Sequence, residues 1–124
     1  MNEFFIPYTL PSLNEVIGAN RSHIMAGAKL KRDVQDGIDT VIMASRLIPV
    51  DYPVIVEIAW QEPNEKRDVD NIQSSKKFIL DSLVEMGILP NDNRKWVKQI
   101  HDYVVTNKKS PGVWVNMRRA DDGE

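Results

Sequence analysis

Residues 54–61 limit the possible folds more than any other stretch. Val54, Val56, Ile58 and Trp60 alternate with Ile55, Glu57, Ala59 and Gln61, which is the two-residue period of a strand. Both sets are largely apolar, so this strand is expected at the centre of a sheet. The chain has 124 residues, enough for one hydrophobic core and too few for two. A single domain built on that central strand is the expectation.

The flanking patterns supply the remaining elements. Residues 3–8, Glu-Phe-Phe-Ile-Pro-Tyr, read as a short strand that Pro7 confines to an edge or to its own end. Residues 11–27 mix Pro, Ser, Asn, Gly and Ala without a period and read as an irregular segment. Leu30, Val34, Ile38, Val41 and Ile42 recur at helical spacing and predict an amphipathic helix over about 28–47, slightly weakened by Gly37. After the central strand comes a charged turn, Glu62 to Asn71, opening a second helix. Asp70 and Gln73 form a capping-box pattern, Ile72, Ile79, Leu80, Leu83 and Met86 make the buried stripe, and Gly87 stops it. Trp96–Val105 and Val113–Met117 read as two strands of a hairpin turning through Ser110-Pro111-Gly112. The order β-α-β-α-β-β predicts a compact α/β (α+β) domain over residues 1–120, with two main helices on a mixed sheet, and a short acidic tail over 121–124.

Composition closes several classes of function. There is no cysteine, which excludes disulfides, thiolate metal sites and thiol nucleophiles. No apolar run reaches the length of a bilayer span and no signal peptide is recognisable, so a cytoplasmic protein is expected. His23 and His101 are too few and too far apart for a histidine metal site, and no Gly-x-Ser-x-Gly elbow is present. Net charge is -2, which weighs mildly against a general nucleic-acid binder. Its distribution weighs the other way, because Lys29, Lys31 and Arg32, then Lys66 and Arg67, then Lys76 and Lys77, then Arg94, Lys95 and Lys98 form basic clusters. Each cluster could equally be a solvated face. Trp60, Trp96 and Trp114 fall in the predicted strands, where packing is the expected use.

Chemistry concentrates around the second helix. Asp68 and Asp70, two residues apart, emerge on one side if the backbone is extended there, and could share a cation. Magnesium prefers a few carboxylates, with waters and phosphate oxygens completing its shell. Asp92 follows in the loop after the helix, whose length leaves its proximity to Asp68 undetermined. Asp70, Ser74, Lys77 and Asp81 share one helix face, so Lys77 could offset charge on a phosphate or simply pair with Asp81. The aspartates could equally serve as turn and cap residues. A calcium EF-hand is excluded, because Gln73 and Ile79 replace its glycine and final glutamate.

Arg67-Asp68-Val69-Asp70-Asn71, then Lys77-Phe78-Ile79-Leu80-Asp81-Ser82-Leu83, then Gly87-Ile88-Leu89-Pro90-Asn91-Asp92 resembles the signature of the RusA family of Holliday-junction resolvases, in its Gram-positive and phage branch. Pro11, Ser12 and Asn14 match a weaker N-terminal segment. The resemblance implies a homodimeric endonuclease that makes paired nicks in four-way DNA junctions, using magnesium or manganese. It places the acidic roles, catalysis and metal binding, on Asp68, Asp70 and Asp92, and the catalytic lysine on Lys77, with Lys76 beside it. Asn14, Lys29, Lys31, Arg32, Lys66, Arg67, Lys76, Arg94 and Lys95 are the candidates for DNA contact. Other readings of the same residues are a metal-dependent nuclease for other branched or single-stranded DNA, a silent junction-binding dimer, and a purely structural oligomer.

Overall fold

The computed structural model describes residues 2–22 and 24–121, which leaves His23 and all but Asp121 of the acidic tail outside the described residues. Eight elements follow in order: β1 (Asn2–Ile6), α1 (Leu13–Ser22), α2 (Ile24–Ser45), β2 (Val54–Glu62), α3 (Val69–Gln73), α4 (Lys76–Glu85), β3 (Val97–Thr106) and β4 (Gly112–Arg119). The architecture is a single α+β domain.

The four strands form one sheet in the order β1-β4-β2-β3. β2 is central, as its two apolar faces require. β3 runs parallel to it, with Ala59 beside Tyr103 and Trp60 beside Val104. β4 runs antiparallel on its other side, with Ala59 beside Trp114, and β1 pairs antiparallel with β4 at the edge. The expected hairpin of β3 and β4 is therefore corrected: β2 lies between them. The strand with apolar residues on both faces takes the position bonded on both sides, and the 107–111 loop passes its end. The Asn107 amide donates to the Glu62 carbonyl at 2.7 Å and pins that crossing.

The helices also depart from expectation at their ends. Residues 13–22 are helical where an irregular segment was expected. Ser12 explains this, because its Oγ accepts the Glu15 amide at 3.1 Å and so satisfies one of the free donors of a helix start. The next helix begins at Ile24 and ends at Ser45, earlier at both ends than the periodicity suggested. The second expected helix is broken into α3 and α4 at Ser74 and Ser75, whose hydroxyls turn to the β1–α1 linker: Ser74 Oγ accepts the Leu13 amide at 3.0 Å, and Ser75 donates to the Pro11 carbonyl at 2.6 Å. The cap position is Asp68, not Asp70, and the Asp68 carboxylate makes no capping bond, so the expected capping box does not form. Gly87 ends the second helix as expected, with φ 75° and the Ile88 amide returning to the Leu83 carbonyl at 2.9 Å.

One face of the sheet is buried. Phe4, Ile6, Val54, Val56, Ile58, Trp60, Val113, Val115 and Met117 form a continuous core with Ile38 and Ile42 of α2 and Ile79 and Leu83 of α4. Of the three tryptophans only Trp60 is core, and its indole Nε1 donates to Asp102 Oδ2 at 2.9 Å. Trp96 lies just before β3 with the Lys95 ammonium over its ring, and Trp114 stands on the other sheet face against Phe5. Among the described residues no helix is long and apolar enough to cross a membrane.

Candidate active site

The loop after α4 folds back along its own helix. Ile88 and Leu89 are buried, both their amides reach the Leu83 carbonyl, and the Ile88 carbonyl accepts the Val50 amide at 2.9 Å. Anchored in this way, the loop brings Asp92 to the start of α4, where Asp92 Oδ2 meets the Lys77 ammonium at 2.9 Å. Asp81, one turn further along, holds the same ammonium at 3.0 Å. The hydrogen bond to Asp92, followed by that to Asp81, raises the Lys77 pKa above its ordinary 10.5, which keeps the side chain cationic at neutral pH.

A second acidic group is the turn into α3. Asp68 and Asp70 are both exposed. The Asp68 side chain has no partner among the described residues, while Asp70 Oδ1 accepts the Asn71 amide at 3.0 Å. Asn71 Oδ1 in turn accepts from Asn14 Nδ2 at 2.9 Å, so the start of α1 lies against the acidic turn. Together with the Ser74 and Ser75 bonds, this fixes the Pro11–Asn14 segment to the Asp68–Asn71 segment.

The expected gathering of Asp68, Asp70 and Asp92 round one cation is not formed: among the described residues no three His, Asp or Glu side chains stand close enough to hold a metal ion. Asp92 is engaged by Lys77 instead, the ammonium satisfying its charge. Asp68 and Asp70 retain open carboxylate oxygens, which suits magnesium's habit of taking one or two protein carboxylates alongside water and phosphate.

No family model and no curated protein matches this chain. The functional reading therefore rests on its own residues.

The basic candidates divide into occupied and free. Lys76 is occupied, its ammonium 3.0 Å from the largely buried Asp102 that also holds Trp60. That leaves Lys77 as the lysine facing the acidic groups. Arg67 is occupied too, donating to the Leu10 carbonyl at 2.9 Å with its Nε 3.5 Å from the buried Glu62. Neither is free for a DNA phosphate, because each compensates a carboxylate taken out of water. Lys29, Lys31, Arg32, Lys66, Arg94 and Lys95 are exposed, as is Asn14. Sequence reasoning passed over Asn71, which joins the Asp68–Asp70 turn to Asn14, and Asp81, which it read only as a surface partner. For Asn71 the signal was present in its place directly after the Asp-x-Asp. For Asp102 there was none, since its role depends on Trp60 in another strand.

Proposed function

We propose that this chain is a metal-dependent endodeoxyribonuclease that resolves four-way DNA junctions by paired nicks, acting as a homodimer. The observation that carries the reading is convergence. The segments that resemble the resolvase signature lie far apart in sequence, yet Asn14 bonds Asn71, and Lys77 of the helix bonds Asp92 of the loop.

In this reading Asp68 and Asp70 hold magnesium, or manganese in its place. The bound ion would supply an activated water and polarise the scissile phosphate. Lys77 offsets the charge that builds on the phosphate, held in place by Asp81 and Asp92. Asn14 and Asn71 keep the acidic turn against the first helix. Lys66, Arg94 and Lys95, with the Lys29–Arg32 cluster, bind the sugar-phosphate backbone, favouring recognition of shape over sequence. A two-fold dimer presents two such sites to two related strands and doubles each modest basic patch.

The engagement of Asp92 by Lys77, in place of a third carboxylate at the metal, favours one second reading: a dimer that binds junctions without cutting them. Cleavage of an end-labelled synthetic junction, compared with linear duplex in magnesium and in EDTA, separates these. Paired nicks confined to the junction and to magnesium are the expected result. Cutting of linear or single-stranded DNA at the same rate would move the activity to a general nuclease, and binding without cutting would overturn catalysis.

A further inference from the structure

Between the end of β3 and the turn leading into α3 lies a cavity of about 380 Å³, with Asp68 in its wall. Its apolar lining comes from two elements that pack on each other, Val69 and Ile72 of α3 and Val104 and Val105 of β3. Ile72 and Val104 belong to the core side of the contact, whereas Val69 is 54% and Val105 41% exposed. Apolar side chains left open to water beside a carboxylate that makes no capping bond mark a place where something binds.

The walls are held in position by main-chain bonds. Thr106, in the lining, pairs with Glu62 at the end of β2, and the Asn107 amide donates to the Glu62 carbonyl at 2.7 Å. On the turn, Asn64 Oδ1 accepts the Lys66 amide at 2.9 Å, and Arg67 donates to the Leu10 carbonyl at 2.9 Å. A cavity braced on both sides needs little ordering before it binds.

Charge decides what fits. Glu65 and Asp68 line the cavity, and Arg67, the one cation among the described residues of the lining, is already set against the buried Glu62. The interior therefore repels a phosphate and accepts a neutral group with an apolar body. The Thr106 hydroxyl and the Asn64 amide nitrogen are the polar groups left to bond its edge. A volume of this size takes one base with its sugar and not a base pair inside a stack, so the base has to be unpaired or drawn out of the helix.

We propose that this cavity binds one unpaired deoxynucleoside, the one that adjoins the phosphate held at Asp68. It rests on the nuclease reading for that phosphate and not for the cavity itself. Recognition of a branch would then lie in the availability of an unpaired nucleoside, which linear duplex withholds.

The test is a titration of the full chain, without metal, with each of the four deoxynucleosides, their 5′-monophosphates and inorganic phosphate, followed by the valine methyl resonances. At least one nucleoside and its monophosphate should shift the methyls of Val69, Val104 and Val105 saturably, and inorganic phosphate should not. Val105→Trp fills the cavity and should weaken that binding by about tenfold or more with unchanged far-UV circular dichroism. Val69→Trp, at an exposed helix start, should do the same and serves where Val105→Trp does not fold. No shift with any nucleoside, equal shifts with inorganic phosphate, or undiminished binding by a folded tryptophan variant would overturn the proposal. Because no DNA is cut in this experiment, a failed junction assay beside positive shifts would overturn the nuclease reading and leave the nucleoside cavity standing.

Discussion

Lys77 is shared by Asp81 on its own helix and Asp92 from the following loop, both within 3.0 Å. All three side chains are at least partly open to water, so their pairing contributes little to stability, on the order of 0–1 kcal/mol. Its value lies in placing a charge. We predict that Lys77→Met lowers single-turnover cleavage by roughly 10² to 10³ while shifting the thermal midpoint only slightly. A rate loss matched by an equal loss of folded protein would contradict this. Because the folded pKa of Lys77 lies above its ordinary 10.5, its stabilising contribution is complete below that value and is lost only as pH rises through the higher folded pKa. The rate should therefore not fall through Lys77 deprotonation anywhere between pH 7 and pH 10, which a pH–rate profile checks.

Glu85 shows the opposite economy. The charge of Asp39, then a hydrogen bond to it, raises the Glu85 pKa above its usual 4.5, and Asp36 and Asp81 add to the crowding. The protonated form is favoured in the fold, so this group's contribution is greatest below 4.5 and is lost as pH rises through the raised value. Glu85→Gln is expected to raise the thermal midpoint at pH 7 and to have almost no effect at pH 4. Equal effects at both values would contradict that. At this scale the pairing of Lys77 with Asp81 was legible, because their four-residue spacing puts them on one helix face. That Lys76 and Arg67 are consumed by Asp102 and Glu62 was not, because those partners come from strands distant in sequence.

Among the elements, the central strand and the Gly87 stop could be read directly, since two apolar faces and a positive-φ position have few alternatives. α1 was also encoded, in Ser12-Leu13-Asn14-Glu15, a serine cap with glutamate three residues on, but Gly18 and the asparagines obscured it. The split between α3 and α4 had no local signal, because Ser74 and Ser75 are drawn out by Leu13 and Pro11. The false hairpin has the same origin: a Ser-Pro-Gly turn fits a two-strand reversal as well as a loop passing the end of a third strand. Two glycines make this a matter of measurement. A Cβ at Gly112 would meet the Ile6 carbonyl and the Phe5 ring across the β1–β4 pair, whereas at Gly18 it would meet nothing. Gly112→Ala should cost about 1–3 kcal/mol by overpacking, and Gly18→Ala should stabilise α1 by about 0.5–1 kcal/mol. Urea unfolding of both decides it, and a neutral Gly112→Ala would show that the two strands do not meet there.

For the whole molecule, the formal charge of -2 hides an uneven surface. The Lys29–Arg32, Lys66 and Arg94–Lys95 groups are exposed, and in the proposed reading they would supply the attraction that phosphate requires, counted twice in a dimer. Asp102→Ala bears on the integrity of this arrangement. It strips the Trp60 indole and Lys76 of their common partner, and should cost about 1–3 kcal/mol, seen as a lower denaturant midpoint with little change in the rate per folded molecule. That the chain is one α+β domain was legible from its length and periodicities. The pairings of Asn14 with Asn71 and of Lys77 with Asp92 were not, because they depend on how α1 lies against the turn into α3 and on how the loop after Gly87 folds back.

The most direct test of the account compares Asp70→Asn with wild type in two assays on the same four-way junction: single-turnover cleavage in magnesium and gel-shift affinity in its absence. The account predicts cleavage lowered by roughly 10³ with junction affinity within a few-fold of wild type. Normal paired nicking by Asp70→Asn would contradict it.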